Sequence, residues 1–461
     1  MKFLNLDIDV KNVPVLDPGF IPMQKFNDAF LKGAEKPLAI AVERNDGLTA
    51  VYDTKIHGTD AMLEADTYYV DRMVKFLLWA KGGYKVYICG DDRIAARIAD
   101  AYSVGGSRDF DRDFMANVYE SDFQVIALPY NKKPVEKEQS NPIGKHLDGC
   151  RIGFDAGGSD RKVSAVINGE AVFSEEVVWY PKLNSDPEYH YAGIVEAFKT
   201  AASKMPRVDA IGISSAGVYI NNRTMVASLF LKVPKDQFDA KIKDIYLRAA
   251  KEIGDVPVEV ANDGDVTALA GAMDMGVNSI LGIAMGTSEA AGFVDANGNI
   301  TGWLNELAFA PVDAQADAMR DEWSGDIGCG VKYFSQDSVI KLAPRAGIAL
   351  DENLSPAEKL KVVQGLMANG DNRAVQVYQS IGTYLGHALA YYASLYPLEH
   401  VLLLGRVMSG EGGNIMLAEA EKTLETEYPE VKKTLQLHVP DEKSRRLGQS
   451  VVAASLPAIK A

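Results

Sequence analysis

Three glycine-rich turns, each placed directly after a short apolar strand pattern, constrain this chain more than any other feature. The first contains Gly157 and Gly158, the second is centred on Gly286, and the third begins at Gly405. Glycine has no Cβ, so such turns let backbone N–H groups approach a phosphate or another backbone closely. Strands that alternate with helices and end in turns of this kind predict an α/β fold.

The strand and helix patterns that follow residue 151 form two successive units. Strands are predicted at 162–167, 171–178, 210–214, 258–260, 280–284 and 401–404, and helices at 188–202, 265–275 and 374–395. Because each unit places strands before helices, the pattern predicts a duplicated α/β architecture with a ligand-binding cleft between its halves.

The segment from Pro129 to Lys145 predicts a domain boundary. Its prolines, which include Pro134 and Pro142, alternate with lysines and glutamates. Such a segment cannot bury an apolar face or sustain a strand ladder, so it is typical of a linker. We therefore expect an N-terminal domain at 1–145 and a second region at 146–461.

The N-terminal domain is predicted to be a small α/β unit. Strand patterns at 38–42 and 48–52 flank Asn45-Asp46-Gly47, a turn sequence that tolerates positive φ, and predict a β-hairpin. Helices are predicted at 69–80 and 94–102, with a buried strand at 85–89 between them. Gly90-Asp91-Asp92 after that strand is either a binding turn or an ordinary connection to a helix, and the ordinary connection is favoured.

Composition and charge exclude several classes of function. The 461 residues exceed what one core usually holds, and 48 basic against 63 acidic residues give a net charge of −15, which repels nucleic acid and anionic membranes. Cys89, Cys150 and Cys329 match neither a disulfide framework nor a paired metal motif, which indicates a reducing compartment, the cytoplasm. No signal peptide or membrane-spanning stretch is expected.

The first turn has the chemistry of a phosphate site. Backbone N–H groups at Gly157, Gly158 and Ser159 can approach a phosphate, while Asp155 at the end of the strand can hold Mg²⁺ through water. Taken alone, the same pattern equally fits a plain β-hairpin with a loose turn.

The second turn offers further phosphate ligands. Gly286 is followed by the hydroxyls of Thr287 and Ser288, which suit a second phosphate grip. Glu289 does not, because a carboxylate beside a polyphosphate is repulsive unless it points away or a cation intervenes.

A strand stops and a helix begins at Asn262-Asp263-Gly264-Asp265, between the first two turns. Asp263 or Asp265 can simply cap that helix. Their position within the series of turns favours a different hypothesis, in which a carboxylate serves as the base for a sugar hydroxyl. The third turn, Gly405-Arg406, either packs against a flat nucleoside or only starts a helix.

Together these elements resemble the ROK family of bacterial glucokinase-type kinases, within the actin, hexokinase and Hsp70-like ATPase superfamily. The resemblance runs from about Arg151 to Pro457 and does not reach the N-terminal part. It implies two ribonuclease-H-like lobes with a cleft between them, ATP-dependent phosphorylation of a hexose or related sugar, Mg²⁺ as cofactor and a homodimer. Sugar and nucleotide would be its small-molecule partners, with no nucleic acid and no membrane.

The resemblance also assigns roles to individual residues. Asp155-Ala156-Gly157-Gly158-Ser159 is similar to the first phosphate motif, and Gly212 to Gly217, with Ser215, to the strand and turn of the sugar lobe. Asn262 would bind a sugar hydroxyl and Asp263 would be the general base. Glu306, within Gly302 to Phe309, would bind the sugar. The segment from Arg446 to Ala454 is similar to the family's closing helix.

Two departures from the family pattern change the expectations. Phe309 stands where the family has a zinc-binding histidine, and Cys329 is the only cysteine of a motif that has three in the family. A lone thiolate cannot form a closed four-ligand site, so we predict no structural zinc, with packing by Phe309, Tyr333 and Phe334 instead. Gln336 aligns approximately with a sugar-binding glutamate; it can hydrogen-bond a hydroxyl without adding charge, which leaves the sugar open.

Two other functions stay open at this stage. A catalytically inactive sugar-binding sensor that retains the kinase fold is suggested by Glu289 and the missing zinc ligands. An ATPase or acyl-phosphate kinase of the same superfamily is the second alternative.

Overall fold

The computed structural model describes residues 1–138, 143–440 and 448–459. Pro142 of the predicted linker and Arg446 and Leu447 of the predicted closing segment lie outside these residues. The chain forms two compact units. Unit 1 contains Met1–Glu138, Ile283–Ala291 and Trp303–Val439, and unit 2 contains Gln139–Gly282, Gly292–Gly302 and Pro440–Ala461.

The N-terminal part of unit 1 contains the predicted small α/β arrangement. Its strands are β1 (Lys2–Phe3), β2 (Leu6–Asp7), β3 (Lys36–Glu43), β4 (Thr49–Ile56), β5 (Lys85–Cys89) and β6 (Gln124–Leu128), and its helices are α1 (Met23–Leu31), α2 (Leu63–Lys81), α3 (Asp92–Ala101) and α4 (Asp109–Tyr119). Strands β3 to β6 form a sheet in the order β4-β3-β5-β6. The predicted hairpin is confirmed: β3 and β4 are antiparallel, and Asp46 between them has a φ of 59°.

The turn after β5 is the ordinary strand-to-helix connection. The carboxylate of Asp91 caps α3 by accepting hydrogen bonds from the backbone N–H groups of Arg93 at 2.9 Å and Ile94 at 3.1 Å. It also pairs with the Lys36 ammonium at 2.7 Å. Helix capping and this ion pair account for the aspartate without a ligand.

Unit 2 is built around a five-stranded sheet with strand order β13-β10-β7-β8-β9. The elements of this region are β7 (Cys150–Ala156), β8 (Asp160–Ile167), β9 (Glu170–Val178), α5 (Pro187–Ala202), β10 (Ala210–Ser215), β11 (Val218–Ile220), β12 (Arg223–Val226), α6 (Lys235–Gln237), α7 (Ile245–Lys251), β13 (Val258–Asn262) and α8 (Asp263–Met275). Strands β7, β8 and β9 are antiparallel neighbours, whereas β10 is parallel to both β7 and β13. Ile152, Phe154 and Phe198 belong to its buried core.

The last four strands form a further sheet, ordered β15-β14-β16-β17. The remaining elements are β14 (Ile280–Met285), β15 (Glu289–Val294), α9 (Gln336–Arg345), α10 (Pro356–Ala368), α11 (Asn372–Tyr392), β16 (His400–Leu404), α12 (Glu411–Glu427), α13 (Pro429–Lys432), β17 (Gln436–His438) and α14 (Gln449–Ala454). Within unit 1, the long helix α11 packs along α12. Among the described residues, no helix is both long and apolar enough to cross a membrane.

Two glycines let the closing helix α14 lie directly on the sheet of unit 2. A Cβ on Gly153 in β7 would overlap the carbonyl oxygen of Ser450, and a Cβ on Gly212 in β10 would overlap that of Ala453. Any side chain at these two positions would push α14 outward. The described part of the predicted closing segment is therefore a helix fixed to the central strands.

A buried ion cluster connects helix α2 and the start of helix α4 with the loop that follows residue 320 in unit 1. The Asp326 carboxylate lies 3.0 Å from Arg72, 3.4 Å from Lys75 and 2.7 Å from Arg108. Burial raises the pKa of Asp326, but these three cations outweigh it and hold the pKa well below the usual range. The carboxylate therefore stays charged and balances cations that come from the N-terminal region.

The N-terminal region thus shares its core contacts with the C-terminal part of the chain. Residues 1–138 lie in the same compact unit as 303–439. The domain boundary near residue 145 stays a prediction, because compact contacts and evolutionary domains need not coincide.

Replacing Asp326 by Ala should destabilise the protein strongly. Removing one partner of a buried ionic cluster leaves uncompensated charges, which typically costs about 3–5 kcal/mol. Chemical unfolding monitored by circular dichroism measures the loss. Asp60→Ala is the matched control, since Asp60 makes an exposed ion pair with Arg93 and its loss should be nearly neutral. Equal, small effects of both substitutions would contradict the structural role of Asp326.

Candidate functional site

The carboxyl ends of three parallel strands bring the predicted residues of unit 2 together. Asp155 of β7 is in register with Ser214 of β10, and Ser215 of β10 is in register with Asn262 of β13. Polar groups at the carboxyl edge of parallel strands are the usual place for a ligand site in α/β sheets. Asp155 and Asn262 are more than one hundred positions apart in sequence, and the sheet brings them to the same edge.

Asp155 is largely buried at this edge and accepts one hydrogen bond, from the Ser214 hydroxyl at 3.0 Å. Burial raises the pKa of Asp155 to about 6, and the neighbouring Asp263 carboxylate adds to the rise, while Ser214 opposes it. Two carboxyl groups therefore influence each other at one edge of the sheet. A cation bound near Asp155 would favour its charged form.

Asn262 is the cap of helix α8. Its side-chain oxygen accepts a hydrogen bond from the Gly264 N–H at 2.7 Å, and its amide nitrogen donates to the Gly217 carbonyl at 2.6 Å. The suggestion that Asp263 or Asp265 caps this helix is wrong. Asp265 instead accepts a hydrogen bond from the Phe293 N–H at 3.1 Å, so capping by its neighbour leaves the Asp263 carboxylate available for chemistry.

Asp263 starts α8, and its side chain is half-buried. Burial raises its pKa, whereas the Gly264 N–H and the Lys182 ammonium act in the opposite direction. The Gly264 N–H lies 3.1 Å from Oδ1 of Asp263. Helix α14 fixes the backbone of this residue, since the Gln449 amide donates to the Asp263 carbonyl at 2.9 Å.

The first glycine turn presents its polar groups at the surface. Gly158 and Ser159 are exposed and Gly157 is half-buried. The Ser159 hydroxyl donates to the Asp160 carboxylate at 3.0 Å. The turn joins the antiparallel strands β7 and β8 as a hairpin. Its role in phosphate binding stays a prediction.

Ser215 is less accessible than its predicted role as a sugar ligand requires. Its hydroxyl is fully buried and shares a hydrogen bond of 2.8 Å with the Tyr246 hydroxyl. Direct sugar binding by Ser215 stays a prediction, and the observed contact gives it a role in fixing the end of β10.

Unit 1 brings together the second and third glycine turns. Thr287 and Ser288 are exposed, and the Arg406 guanidinium donates to the Thr287 hydroxyl at 2.6 Å. Gly405 has a φ of 104° and lies against Met285 at the end of β14. The two turns therefore form one polar surface that carries a cation.

Gln336 stands beside the second turn as the first residue of α9. Its backbone N–H donates to the Gly286 carbonyl at 2.9 Å. The side chain is buried, and its Oε1 has no hydrogen-bond partner in the described structure. A buried amide oxygen without a partner suits a ligand donor.

The carboxylate of Glu289 points into the interior of unit 1. A Cβ added to Gly330 would lie 2.5 Å from Oε2 of Glu289, so the absent side chain at residue 330 makes room for it. Neither carboxylate oxygen has a hydrogen-bond partner among the described residues. Burial, followed by the charge of Glu306, raises the pKa of Glu289 well above its usual range. The carboxyl group therefore lies in the interior, whereas Thr287 and Ser288 are exposed, and its burial favours the protonated form.

The segment that carries Glu306 rests on the end of helix α2. The backbone N–H of Asn305 donates to the Ala80 carbonyl at 3.0 Å, and that of Glu306 donates to the Trp79 carbonyl at 2.9 Å. The last turn of a helix has unpaired carbonyls that need partners. The backbone N–H groups of residues 305 and 306 are the partners of these carbonyls. Helix α2 in turn fixes the backbone of Glu306, the predicted sugar ligand.

Aromatic packing surrounds the residues that replace the family's zinc motif. Phe309 packs on Trp79 with ring centroids 4.3 Å apart, and Phe309, Tyr333 and Phe334 are all buried. Within the described ranges, no group of three or more His, Cys, Asp or Glu residues could hold a metal ion. The absence of zinc stays a prediction; the packing shows what fills the region.

A cavity of about 260 Å³ adjoins the third glycine turn in unit 1. It is lined by Gln364, Met367, Ala368, Tyr378 and Ser409 to Gly412. Gln364 also donates from its amide to the Arg406 carbonyl at 2.8 Å. An apolar pocket with one aromatic wall and few polar groups suits a flat heterocycle.

Comparison with known families decides the assignment. The ROK family model matches residues 151–453, about two-thirds of the 461 residues. The chain belongs to the ROK family. No curated protein matches it.

Solved structures of ROK proteins share the fold. A ROK family transcriptional regulator, described as a homologue of the E. coli MLC protein, is 21% identical, with 67% of this chain and 79% of that chain covered and a TM-score of 0.53. A ROK hexokinase from Thermus thermophilus is 18% identical, with 67% and 97% covered and a TM-score of 0.51. Identities this low show the fold alone. The predicted α/β fold with ribonuclease-H-like lobes and an additional N-terminal region is confirmed.

Three features of this ROK chain escaped the sequence reasoning. They are the support of Glu306 by α2, the inward direction of Glu289, and the placement of Lys182 near Asp263. Each depends on contacts between residues distant in sequence. No local periodicity in the sequence links these segments.

Glu289→Gln should alter the pH dependence of stability. A carboxyl group whose pKa is raised by folding holds its proton more tightly in the folded state, so stability falls as pH rises above the ordinary glutamate value. Glutamine does not titrate. The melting temperature of Glu289→Gln minus that of the wild type should therefore increase from about pH 5 to about pH 8.

Thermal melts across that pH range measure the difference. Glu170→Gln, at an exposed position in β9, serves as the control and should show no such trend. A Glu289→Gln difference that is flat or decreases with pH would contradict a buried, protonated Glu289.

Proposed function

We propose that this ROK protein transfers the γ-phosphoryl group of ATP to a hydroxyl of a hexose or related sugar. The observation that carries the proposal is the Asp263 carboxylate. It is half-buried directly after the carboxyl end of β13, beside Asp155, and its backbone is anchored by Gln449. A carboxylate fixed in this way suits a general base.

Asp263 would take the proton of the attacking hydroxyl. Its raised pKa brings it closer to the neutral range in which a general base works efficiently. Asn262 uses one of its two amide N–H groups for Gly217, so the other can orient a sugar hydroxyl. In unit 1 we assign sugar binding to Glu306 and Gln336, with Ser215 of unit 2 as a supporting residue.

The glycine turns would bind the phosphate chain. Gly157, Gly158 and Ser159 are assigned to one phosphate group, and Gly286, Thr287 and Ser288 to another. We assign Asp155 to Mg²⁺ through water, because Ser214 occupies only one of its oxygens and a single carboxylate suits this ion. When bound, Mg²⁺ would neutralise charge on the phosphate oxygens.

We assign the nucleoside to the cavity beside the third turn. Its Tyr378 wall and small volume fit a flat base. Gly405 and Arg406 adjoin it, and the guanidinium on Thr287 places a positive charge near the predicted phosphate turn.

The setting of the proposed reaction is the cytoplasm. ATP is a cytoplasmic substrate, and the three cysteines are free and buried, which agrees with a reducing compartment. The partners would be a sugar and a nucleotide. The net charge disfavours nucleic acid, and the homodimer stays a prediction.

A sugar-responsive regulator is the second candidate. The specific observation is that a structural relative with the same fold is a ROK transcriptional regulator. Gln336, which lacks the charge of the family's glutamate, also permits binding without turnover. Isothermal titration distinguishes the two functions, because a regulator of this kind would bind sugar but no magnesium-nucleotide.

Asp263→Asn should abolish most turnover while preserving sugar binding. The amide cannot accept the hydroxyl proton, and loss of general base catalysis typically lowers kcat by about 10²- to 10⁴-fold. Coupled detection of ADP measures turnover, and titration calorimetry should give a sugar Kd within about threefold of the wild type, because the amide retains hydrogen bonding. Asp255→Asn, on an exposed loop of unit 2, is the control. Wild-type turnover by Asp263→Asn would refute the assignment.

A further inference from the structure

The segment after β9 folds over the first glycine turn. The backbone N–H of Trp179 donates to the Ser159 carbonyl at 3.1 Å, and its indole N–H donates to the Gly157 carbonyl at 2.8 Å. The indole itself is buried, 4% exposed. One tryptophan thus holds two carbonyls of the turn, which fixes the turn and the following residues relative to each other.

The residues after Trp179 are themselves tightly held. Residues Pro181–Leu183 form a short 3₁₀ turn, with Pro181 buried. The Asn184 amide donates to the Tyr180 carbonyl at 2.8 Å, and the Tyr180 N–H donates to the Tyr189 hydroxyl at 3.0 Å. These contacts fix the backbone on both sides of Lys182.

Lys182 lies directly over Gly158. Its Cε and Nζ atoms are 3.2 Å and 3.3 Å from the position that a Cβ of residue 158 would occupy. The absence of a side chain at Gly158 therefore leaves space that the lysine ammonium occupies. Lys182 is otherwise exposed, so the ammonium faces both the turn and solvent.

Lys182 carries a positive charge near this turn that no ion pair neutralises among the described residues. Asp155, Asp160 and Asp263 are the carboxylates near the turn. Lys162 is shared between Asp160 at 3.6 Å and Glu176 at 3.7 Å. Across 1–138, 143–440 and 448–459, no ion pair within 4 Å engages Lys182. Its positive charge is near enough to Asp263 to lower the pKa of that carboxyl group.

We propose that Lys182 is a catalytic residue that binds the transferred phosphoryl group at the first glycine turn. This inference rests on the proposed phosphotransfer. A lysine ammonium offers three N–H donors and a full positive charge to phosphate oxygens. No other described lysine or arginine has an atom within 4 Å of the Cβ position of residue 158.

The proposed phosphoryl transfer changes no oxidation state and needs no redox partner. The sugar oxygen forms a bond to the γ-phosphorus, the bond from that phosphorus to the β–γ bridging oxygen breaks, and ADP leaves with the electron pair. The hydroxyl proton goes to Asp263. Lys182 keeps its proton and donates hydrogen bonds to the phosphoryl oxygens, where charge is concentrated during transfer.

The same ammonium would keep the base in its reactive form. Burial favours protonated Asp263, and the positive charge of Lys182 opposes this. Asp263 also raises the pKa of Asp155 on β7, where Lys162 of β8 acts in the opposite direction and Asp160 of β8 adds to the rise. One lysine therefore serves the phosphate and the carboxylate at once.

Three variants of the full chain test this role: Lys182→Met, Lys182→Arg, and the control Lys251→Met, which alters an exposed lysine at the end of α7. Lys182→Met should lower kcat by about 10²- to 10³-fold, as the loss of one transition-state donor does. The KM for sugar should change by less than about threefold, since the lysine contacts phosphate rather than sugar. Lys182→Arg should restore part of kcat, and Lys251→Met should match the wild type.

The pH profile adds a readout that a merely structural lysine would not move. In Lys182→Met, the acidic limb of kcat/KM should shift to higher pH, because Asp263 loses the charge that lowers its pKa. Circular dichroism and melting temperature confirm that each variant is folded. A folded Lys182→Met with wild-type kcat and an unshifted profile would overturn the proposal.

A binding experiment separates this inference from the proposed function. Calorimetry with the magnesium complex of a non-hydrolysable ATP analogue should show at least about tenfold weaker binding to Lys182→Met, a typical effect of one charged hydrogen bond. If the wild type binds the analogue but shows no turnover, the proposed reaction fails while the lysine contact survives. Equal affinity of wild type and Lys182→Met overturns the lysine contact, and no binding by the wild type overturns both.

Discussion

The burial of carboxyl groups is the physical constraint on which the rest of this structure depends. Removing a carboxylate from water costs several kcal/mol unless a cation, hydrogen bonds or a proton compensates it. Asp326 is compensated by three cations, Asp155 by Ser214, Asp263 by a backbone N–H and Lys182, and Glu289 by protonation. The kind of compensation separates structural from chemical roles. A carboxylate surrounded by cations is locked, whereas one with a raised pKa and few partners is ready to exchange a proton.

The N-terminal region supplies charges and hydrogen-bond acceptors that stabilise unit 1. Its arginines and lysine hold Asp326, and the final carbonyls of α2 hold the backbone of Glu306. Trp79 also packs on Phe309. Side-chain packing and a buried ion cluster thus stabilise this region of unit 1. The N-terminal region is therefore an integral part of the core of unit 1.

Local patterns predicted much of the fold because the strands and helices obey their own periodicities. The strand at 85–89, the hairpin around Asp46 and the helix before residue 275 all follow from alternation, turn residues and caps. Asn262 and Asp263 stand where a strand pattern stops and a helix begins, but their predicted roles came from the family resemblance. The capping alternative named Asp263 or Asp265, whereas Asn262 accepts the capping hydrogen bond.

Contacts between distant segments could not be predicted, because no local rule links them. The support of Glu306 by α2 joins residues more than two hundred positions apart. The inward turn of Glu289 depends on a glycine at 330. The proposed role of Lys182 depends on Trp179, whose indole hydrogen bond holds this segment against the first glycine turn. In each case a tertiary contact decides which of several chemically reasonable roles a residue has.

A substrate panel tests the central claim most directly. The full chain is incubated with magnesium-ATP and, in turn, with hexoses, amino sugars and small carboxylates, while ADP release and phosphorylated product are measured together. The account predicts ADP release that depends on a sugar, with one sugar phosphate formed for each ADP. ADP release without any sugar, release driven only by carboxylates, or sugar binding without any ADP release would contradict it.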